Sequence, residues 1–251
     1  MHIPLLLFST FITADPAPLT TTVQDAEAAE AGSSESKWTG SFTAGMSLTD
    51  GNTDIQRASA TADAVRELEG ARYTLGFQWN YAEEDNELTQ RRTYGKAQYD
   101  QFISDSSYWL INASLEGDSQ ADLDLRAILG AGIGRDLKST DKFTLSGEAG
   151  LSYFDEDYVI DADDGQYLAA RVAYKWDYAH SDRWSFSQTA EIYPSLEESD
   201  DVYAKVDTRA KATLSENMFA QFQWLYDWNN TPAEGKKRVD NLYLITIGWT
   251  F

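Results

Sequence analysis

Residues 241–251 (NLYLITIGWTF) constrain this chain more than any other stretch. Tyr243, Ile245, Ile247, Trp249 and Phe251 place an apolar side chain at every second position, and the sequence stops on the last of them. Successive side chains of a strand point to opposite faces, so a period of two marks a strand with one apolar face. Such a strand at the end of a soluble domain would leave an apolar edge and an aromatic tip in water. In lipid it is stable once every backbone group is paired, and a sheet achieves that only by closing on itself. The expectation is an all-β chain folded as an antiparallel transmembrane β-barrel.

The same period recurs from Trp38 onward. Strands are expected over 38–48, 55–66, 71–83, 91–102, 107–117, 124–137, 142–154, 167–179, 184–196, 202–214, 219–228 and 240–251. These make a 12-stranded barrel, an even number that leaves both termini on one side, and each segment reaches the roughly 9–11 residues needed to cross a bilayer. In the third, Tyr73, Leu75, Phe77, Trp79 and Tyr81 oppose Thr74, Gly76, Gln78 and Asn80. In the eleventh, Phe222, Trp224, Tyr226 and Trp228 oppose Gln221, Gln223 and Asp227. A soluble β-sandwich shares the period, but Trp and Tyr gathered near strand ends suit the aromatic girdles of a membrane barrel better. The 8 Trp, 14 Tyr and 11 Phe coexist with a mean hydropathy of −0.48, as expected when one strand face meets lipid and the other water.

Residues 1–14 hold a short apolar run within Met1 to Ile12, followed by Thr13-Ala14, and read as a secretory signal peptide that lacks the usual basic start. Residues 15–37, rich in Ala, Glu, Thr and Ser, read as a disordered periplasmic tail, and 38–251 as the barrel. Cysteine is absent, so no disulfide or thiolate metal site can form. A formal charge of −21 argues against nucleic acid, whose phosphates need clustered Lys and Arg.

Connections are expected to alternate in length. Short turns fall at 69–70, 105–106, 139–141, 181–182 and 215–217, and longer ones at 49–54, 84–90, 118–123, 155–166, 197–201 and 229–239. Short periplasmic turns and long outer loops are the usual asymmetry, which places both termini in the periplasm and the protein in the bacterial outer membrane. The long connections collect carboxylates. Asp155, Asp157, Asp161, Asp163 and Asp164 lie in one, joined by Glu156, and Glu197, Glu198, Asp200 and Asp201 in the next. Such a rim would attract divalent cations, which take oxygen ligands and bridge lipopolysaccharide. The spacing around 161–164 lacks the later bidentate Glu of a calcium loop, so no specific metal site and no cofactor are expected.

By strand parity Arg57, Lys96, Arg126, Arg171, Lys175, Lys205, Arg209 and Lys211 face the lumen. The same parity turns Asp63, Asp100, Glu116, Glu148, Asp177, Glu191, Asp207 and Asp227 inward. The lumen is then close to neutral, serving either as a water-filled pore that selects ions or as a filled structural network. Twelve strands enclose less space than a porin with 16–18, which favours a narrow or filled interior. Lys205, Asp207, Arg209 and Lys211 on one strand form the best candidate ladder for touching small solutes.

An alternative is an outer-membrane barrel enzyme using loop carboxylates. Phospholipase or protease chemistry needs a His base, yet the chain has only His2, in the signal, and His180, in a short turn. Adjacent pairs such as Asp163/Asp164 and Asp200/Asp201 are poorly preorganised for acid–base work. No catalytic motif stands out, and a non-enzymatic role is expected.

Two resemblances add to this reading. The ending at Phe251 resembles the C-terminal signature by which the barrel-assembly machinery receives bacterial outer-membrane proteins. SLTDGNTD at 47–54, ADLDLRAILGAGIGRDL at 121–137, YLAARVAYKWDY at 167–178, YPSLEESDDVYAKVDT at 193–208 and PAEGKKRVDNLYLITIGWTF at 232–251 resemble the YdiY-like family of salt-induced outer-membrane proteins. That resemblance covers roughly 38–251 and implies a β-barrel, an outer-membrane location and an association with salt or envelope stress. It carries over no functional residues.

Overall fold

The computed structural model describes residues 37–50, 54–159 and 164–251. The expected signal peptide and nearly all of the expected tail lie outside them. Twelve strands run through the described residues: β1 (Thr39–Thr49), β2 (Ile55–Leu68), β3 (Ala71–Glu84), β4 (Glu87–Phe102), β5 (Ser107–Asp118) and β6 (Leu123–Ser139). They continue as β7 (Phe143–Tyr158), β8 (Gly165–Ala179), β9 (Trp184–Pro194), β10 (Val202–Thr213), β11 (Met218–Asn229) and β12 (Val239–Thr250). Each pairs antiparallel with the next, and β12 returns to β1 to close the barrel. Closure runs through Ser41↔Thr250 to Ala44↔Ile247, extended by reciprocal backbone bonds between Gly40 and Phe251 at 3.1 and 3.0 Å.

The barrel turns the usual burial pattern inside out. Lumen-facing Gln223, Thr61 and Asp100 are fully buried, while Phe222, Leu129 and Ile245 on the outer face are exposed. That inversion is the physical mark of a lipid-facing surface. Outer aromatic rings pack in local clusters. Trp224 and Tyr243 stack at 6.4 Å and Trp79 and Tyr81 at 6.0 Å, while Tyr73, Tyr99 and Trp109 cluster near the short turns.

The connection expected over 84–90 is a correction. Asp85 and Asn86 both adopt positive φ, 50° and 67°, and form a two-residue turn, so β4 begins at Glu87. Paired left-handed residues make the tight hairpin whose twist matches its strands, and Asp and Asn tolerate that geometry. The remaining long connections stay on the end opposite the short turns, the longest joining β11 to β12.

Candidate functional site: a half-open lumen

The lumen has two unlike halves. Towards the short turns lies a cavity of about 540 Å³, whose lining reaches Glu67, Arg72, Lys138 and Ser139 beside those turns. Charge is arranged there in repeating units, one guanidinium between two carboxylates. Arg209 donates to Asp207 at 2.7 Å and to Asp63 across the barrel. Arg171 bridges Glu148 at 2.8 Å and Glu191 at 3.4 Å, and Arg72 bridges Asp100 at 2.7 Å and Asp136 at 3.7 Å. Lys96 and Lys211 also line the cavity, without an ion-pair partner among the described residues. Lys175 meets Asp177 at 3.5 Å near the mouth, where both side chains are about half exposed.

Above the cavity the lumen is closed by one layer of ion pairs and aromatic rings. Arg92 of β4 donates to Glu116 at 2.8 and 2.5 Å and reaches Asp227 of β11 at 2.6 Å. Lys205 of β10 meets Glu116 at 3.0 Å and lies 3.8 Å from the Tyr94 ring. Strands β4 and β10 stand opposite each other in a ring of twelve, so the Lys205–Tyr94 contact spans the bore. Arg126 donates to Glu156 and stacks 4.4 Å over Tyr203, whose hydroxyl donates to Asp227 at 3.1 Å. Phe154, fully buried, fills the adjoining space against Tyr167 at 4.8 Å and Tyr193 at 5.1 Å. A charge in such a layer survives desolvation because each has at least one opposite partner and further hydrogen bonds.

The outer mouth is also covered. The connection after β11 folds inward, so that Ala233 packs on Leu123 and Tyr158 and Lys236 meets Asp122 at 2.8 Å. Asn230 donates to the Asp200 carbonyl at 2.7 Å and Thr231 to the Asp201 carboxylate at 2.5 Å. Beside this flap a second cavity of about 360 Å³ is lined by Asp164, Glu197, Glu198 and Asp201 with Tyr158 and Tyr167.

Glu148, Arg171, Lys175, Glu191, Asp207, Arg209 and Lys211 line the lower cavity, whereas Arg126 and Lys205 belong to the closing layer. The ladder on β10 is therefore split. Lys205 and Arg209 are held in ion pairs, and Lys211 lies 4.6 Å from the Phe219 ring. Arg57 is exposed near the outer end rather than packed in the lumen. Of the rim, Asp155 and Asp157 sit on the outer face of β7, and Asp161 and Asp163 lie outside the described residues. Glu156 corrects its assignment to the rim: it points inward, buried against Arg126. No group of three or more ligating side chains with metal-binding geometry occurs among the described residues.

Arg92, the centre of the closing layer, and Arg72 were not singled out by sequence reasoning. The signal was present, since Arg92 shares the inward parity of Lys96 and Asp100. The carboxylates weighed for catalysis do not converge: Asp200 contacts Ser199 while Asp201 is bound to Thr231. His180, exposed in its short turn, meets the Tyr178 hydroxyl and the rings of Tyr178 and Phe186.

With twelve strands, a lipid-type exterior and a charged lumen in place, comparison with known proteins assigns a family. The family described as "Protein of unknown function, DUF481" matches residues 42–251. The chain belongs to it. No curated protein matches the chain. Among solved structures this DUF481 barrel is similar to the NanC porin, at 8% identity over 85% of this chain and 99% of that one, with a TM-score of 0.51. The translocator domain of the autotransporter NalP from Neisseria meningitidis aligns over 85% and 86% at 13% identity, with a TM-score of 0.44. At 8% identity the likeness to the NanC porin is one of fold, that of an outer-membrane β-barrel. The family match agrees with the barrel resemblance carried by the sequence motifs, and the narrower salt-induced label remains outside it.

Proposed function

We propose that this DUF481 barrel is a narrow outer-membrane channel for small solutes, with its termini and short turns in the periplasm. The observation that carries the reading is the cavity of about 540 Å³, a charged vestibule that ends on a layer of ion pairs and aromatic rings. A purely structural barrel has no need of a vestibule, and a layer held by Arg92, Glu116, Lys205 and Asp227 can rearrange in a way an apolar core cannot. The outer carboxylates would hold divalent cations loosely near lipopolysaccharide, and β12 with Phe251 would serve recognition by the barrel-assembly machinery. A link to salt stress fits a closure made of charges, whose pairing ions can compete for.

The test is conductance in a planar bilayer. Wild-type protein is expected to give small or rare ionic steps, and Arg92→Ala with Asp227→Ala to give large, reproducible ones. A doubly substituted barrel that inserts and stays silent would remove the channel reading and leave a structural role.

A further inference from the structure

The carboxylates deep in the vestibule are engaged by arginines, Asp63 and Asp207 by Arg209, and Glu148 and Glu191 by Arg171. Two ammonium groups of the same lining are not engaged. Lys96 and Lys211 make no hydrogen bond or ion pair with any described residue. An ammonium offers only donors, so both are left to seek an acceptor in the bore.

Local structure holds each lysine in place. Asp63, Gly76 and Lys96 lie in one register row across β2, β3 and β4. A Cβ at Gly76 would come within 2.9 Å of the Lys96 stem, so the bare glycine leaves the trough in which that stem lies. Lys211 lies 4.6 Å from the Phe219 ring, whose face attracts the ammonium but has no lone pair to accept its protons. The lysines also fall in order along the bore. Lys211 is two residues from the short-turn end of β10, Lys96 six from that of β4, and Lys205 of the closing layer eight from that of β10. Asp63 is within electrostatic reach of Lys211 and Lys96, and Glu191 of Lys96 and Lys205. Lys96 therefore stands between the mouth and the closing layer.

We propose that the vestibule binds small organic anions bearing one or two carboxylates, taken up at Lys211 near the mouth and held at Lys96 beneath the closing layer. The inference rests on the channel reading and names its solute class. The guanidiniums are committed to their own carboxylates, so the two ammonium groups are the positive charge left for a solute. Hydrogen bonds from an ammonium to a carboxylate are stronger than neutral ones and offset part of the hydration the solute gives up. A water molecule takes up about 30 Å³ of the liquid, so a cavity of about 540 Å³ admits an organic solute with part of its hydration shell.

Ser114 lies opposite Lys96 in the β4–β5 register and lines the vestibule, and the chain has no cysteine of its own. Ser114→Cys in the refolded full chain is labelled with an anionic sulfonatoethyl and a cationic trimethylammonioethyl methanethiosulfonate. Each rate is divided by that reagent's rate with a small thiol in solution. The anionic reagent should react about tenfold faster, and the advantage should vanish in Lys96→Gln with Lys211→Gln. Succinate should slow the anionic reagent severalfold more than sodium chloride of equal ionic strength, a readout that needs no lysine variant. Equal or cation-favouring rates, an anionic advantage that survives loss of both lysines, or slowing no greater than by sodium chloride overturns the anion site and leaves the channel. No reaction with either reagent means a vestibule shut to water, and overturns both.

Discussion

Replacing Arg92 with Met keeps most of the bulk in the closing layer and removes its central charge. Arg92 is buried, bound through two nitrogens to Glu116 and through a third to Asp227 at 2.6 Å. Breaking a buried pair by removing one partner typically costs 3–5 kcal/mol, because a charge is left without compensation. Here the loss is partly offset. Lys205 remains 3.0 Å from Glu116 and 3.9 Å from Asp227, and Arg126 remains 3.6 Å from Glu116. The expected destabilisation is therefore about 3 kcal/mol, towards the low end of that range. Urea unfolding of the refolded barrel in micelles, followed by tryptophan fluorescence, measures it. Lys175→Met supplies the contrast, since its pair with Asp177 is about half exposed and is worth under about 1 kcal/mol. A double-mutant cycle of Arg92→Met with Asp227→Asn should give a coupling of about 1–2 kcal/mol. If Arg92→Met costs no more than Lys175→Met, the layer is not an ion-paired closure and the reasoning fails.

Gly134, the rim carboxylates and Phe251 each carry a further expected outcome. A Cβ at Gly134 would lie 2.3 Å from the ring of fully buried Tyr108, so Gly134→Ala should cost about 1–3 kcal/mol, read as a lower urea midpoint. Calcium titration by calorimetry should show only weak binding, at about millimolar dissociation constants, because the rim carboxylates are dispersed; a stoichiometric site tighter than about 10 μM would contradict that geometry. Phe251 is 67% exposed and its backbone is bonded to Gly40, so Phe251→Ala should lower assembly into membranes of a Gram-negative host while changing refolded stability by under about 1 kcal/mol.

The strands were legible because each carries its own evidence. Alternation in β3 and β11 is local, and local signals survive without knowledge of neighbours. The Asp85–Asn86 turn is hidden in the sequence because a polar run offers no alternation to count. Glu156 was read with the acidic stretch around it, and its inward parity with Glu148 went unused. The closing layer was illegible for a different reason. Arg92 and Asp227 are 135 positions apart, and no spacing along the chain says that β4 and β11 face each other closely enough for contact. The short seam between β1 and β12 is likewise a property of closure rather than of either strand.

The central claim is a lumen open at the short-turn end and shut at the other. Thr189 lines the vestibule and Glu198 lies on the outer side. The direct measurement is labelling of Thr189→Cys and Glu198→Cys in a Gram-negative host with a charged maleimide that does not cross membranes. The expected result is rapid labelling of Glu198→Cys on intact cells, and labelling of Thr189→Cys only after the outer membrane is permeabilised. Equal labelling of both on intact cells would mean that the closing layer does not close the lumen, and the reverse pattern would mean that the barrel is oriented the other way.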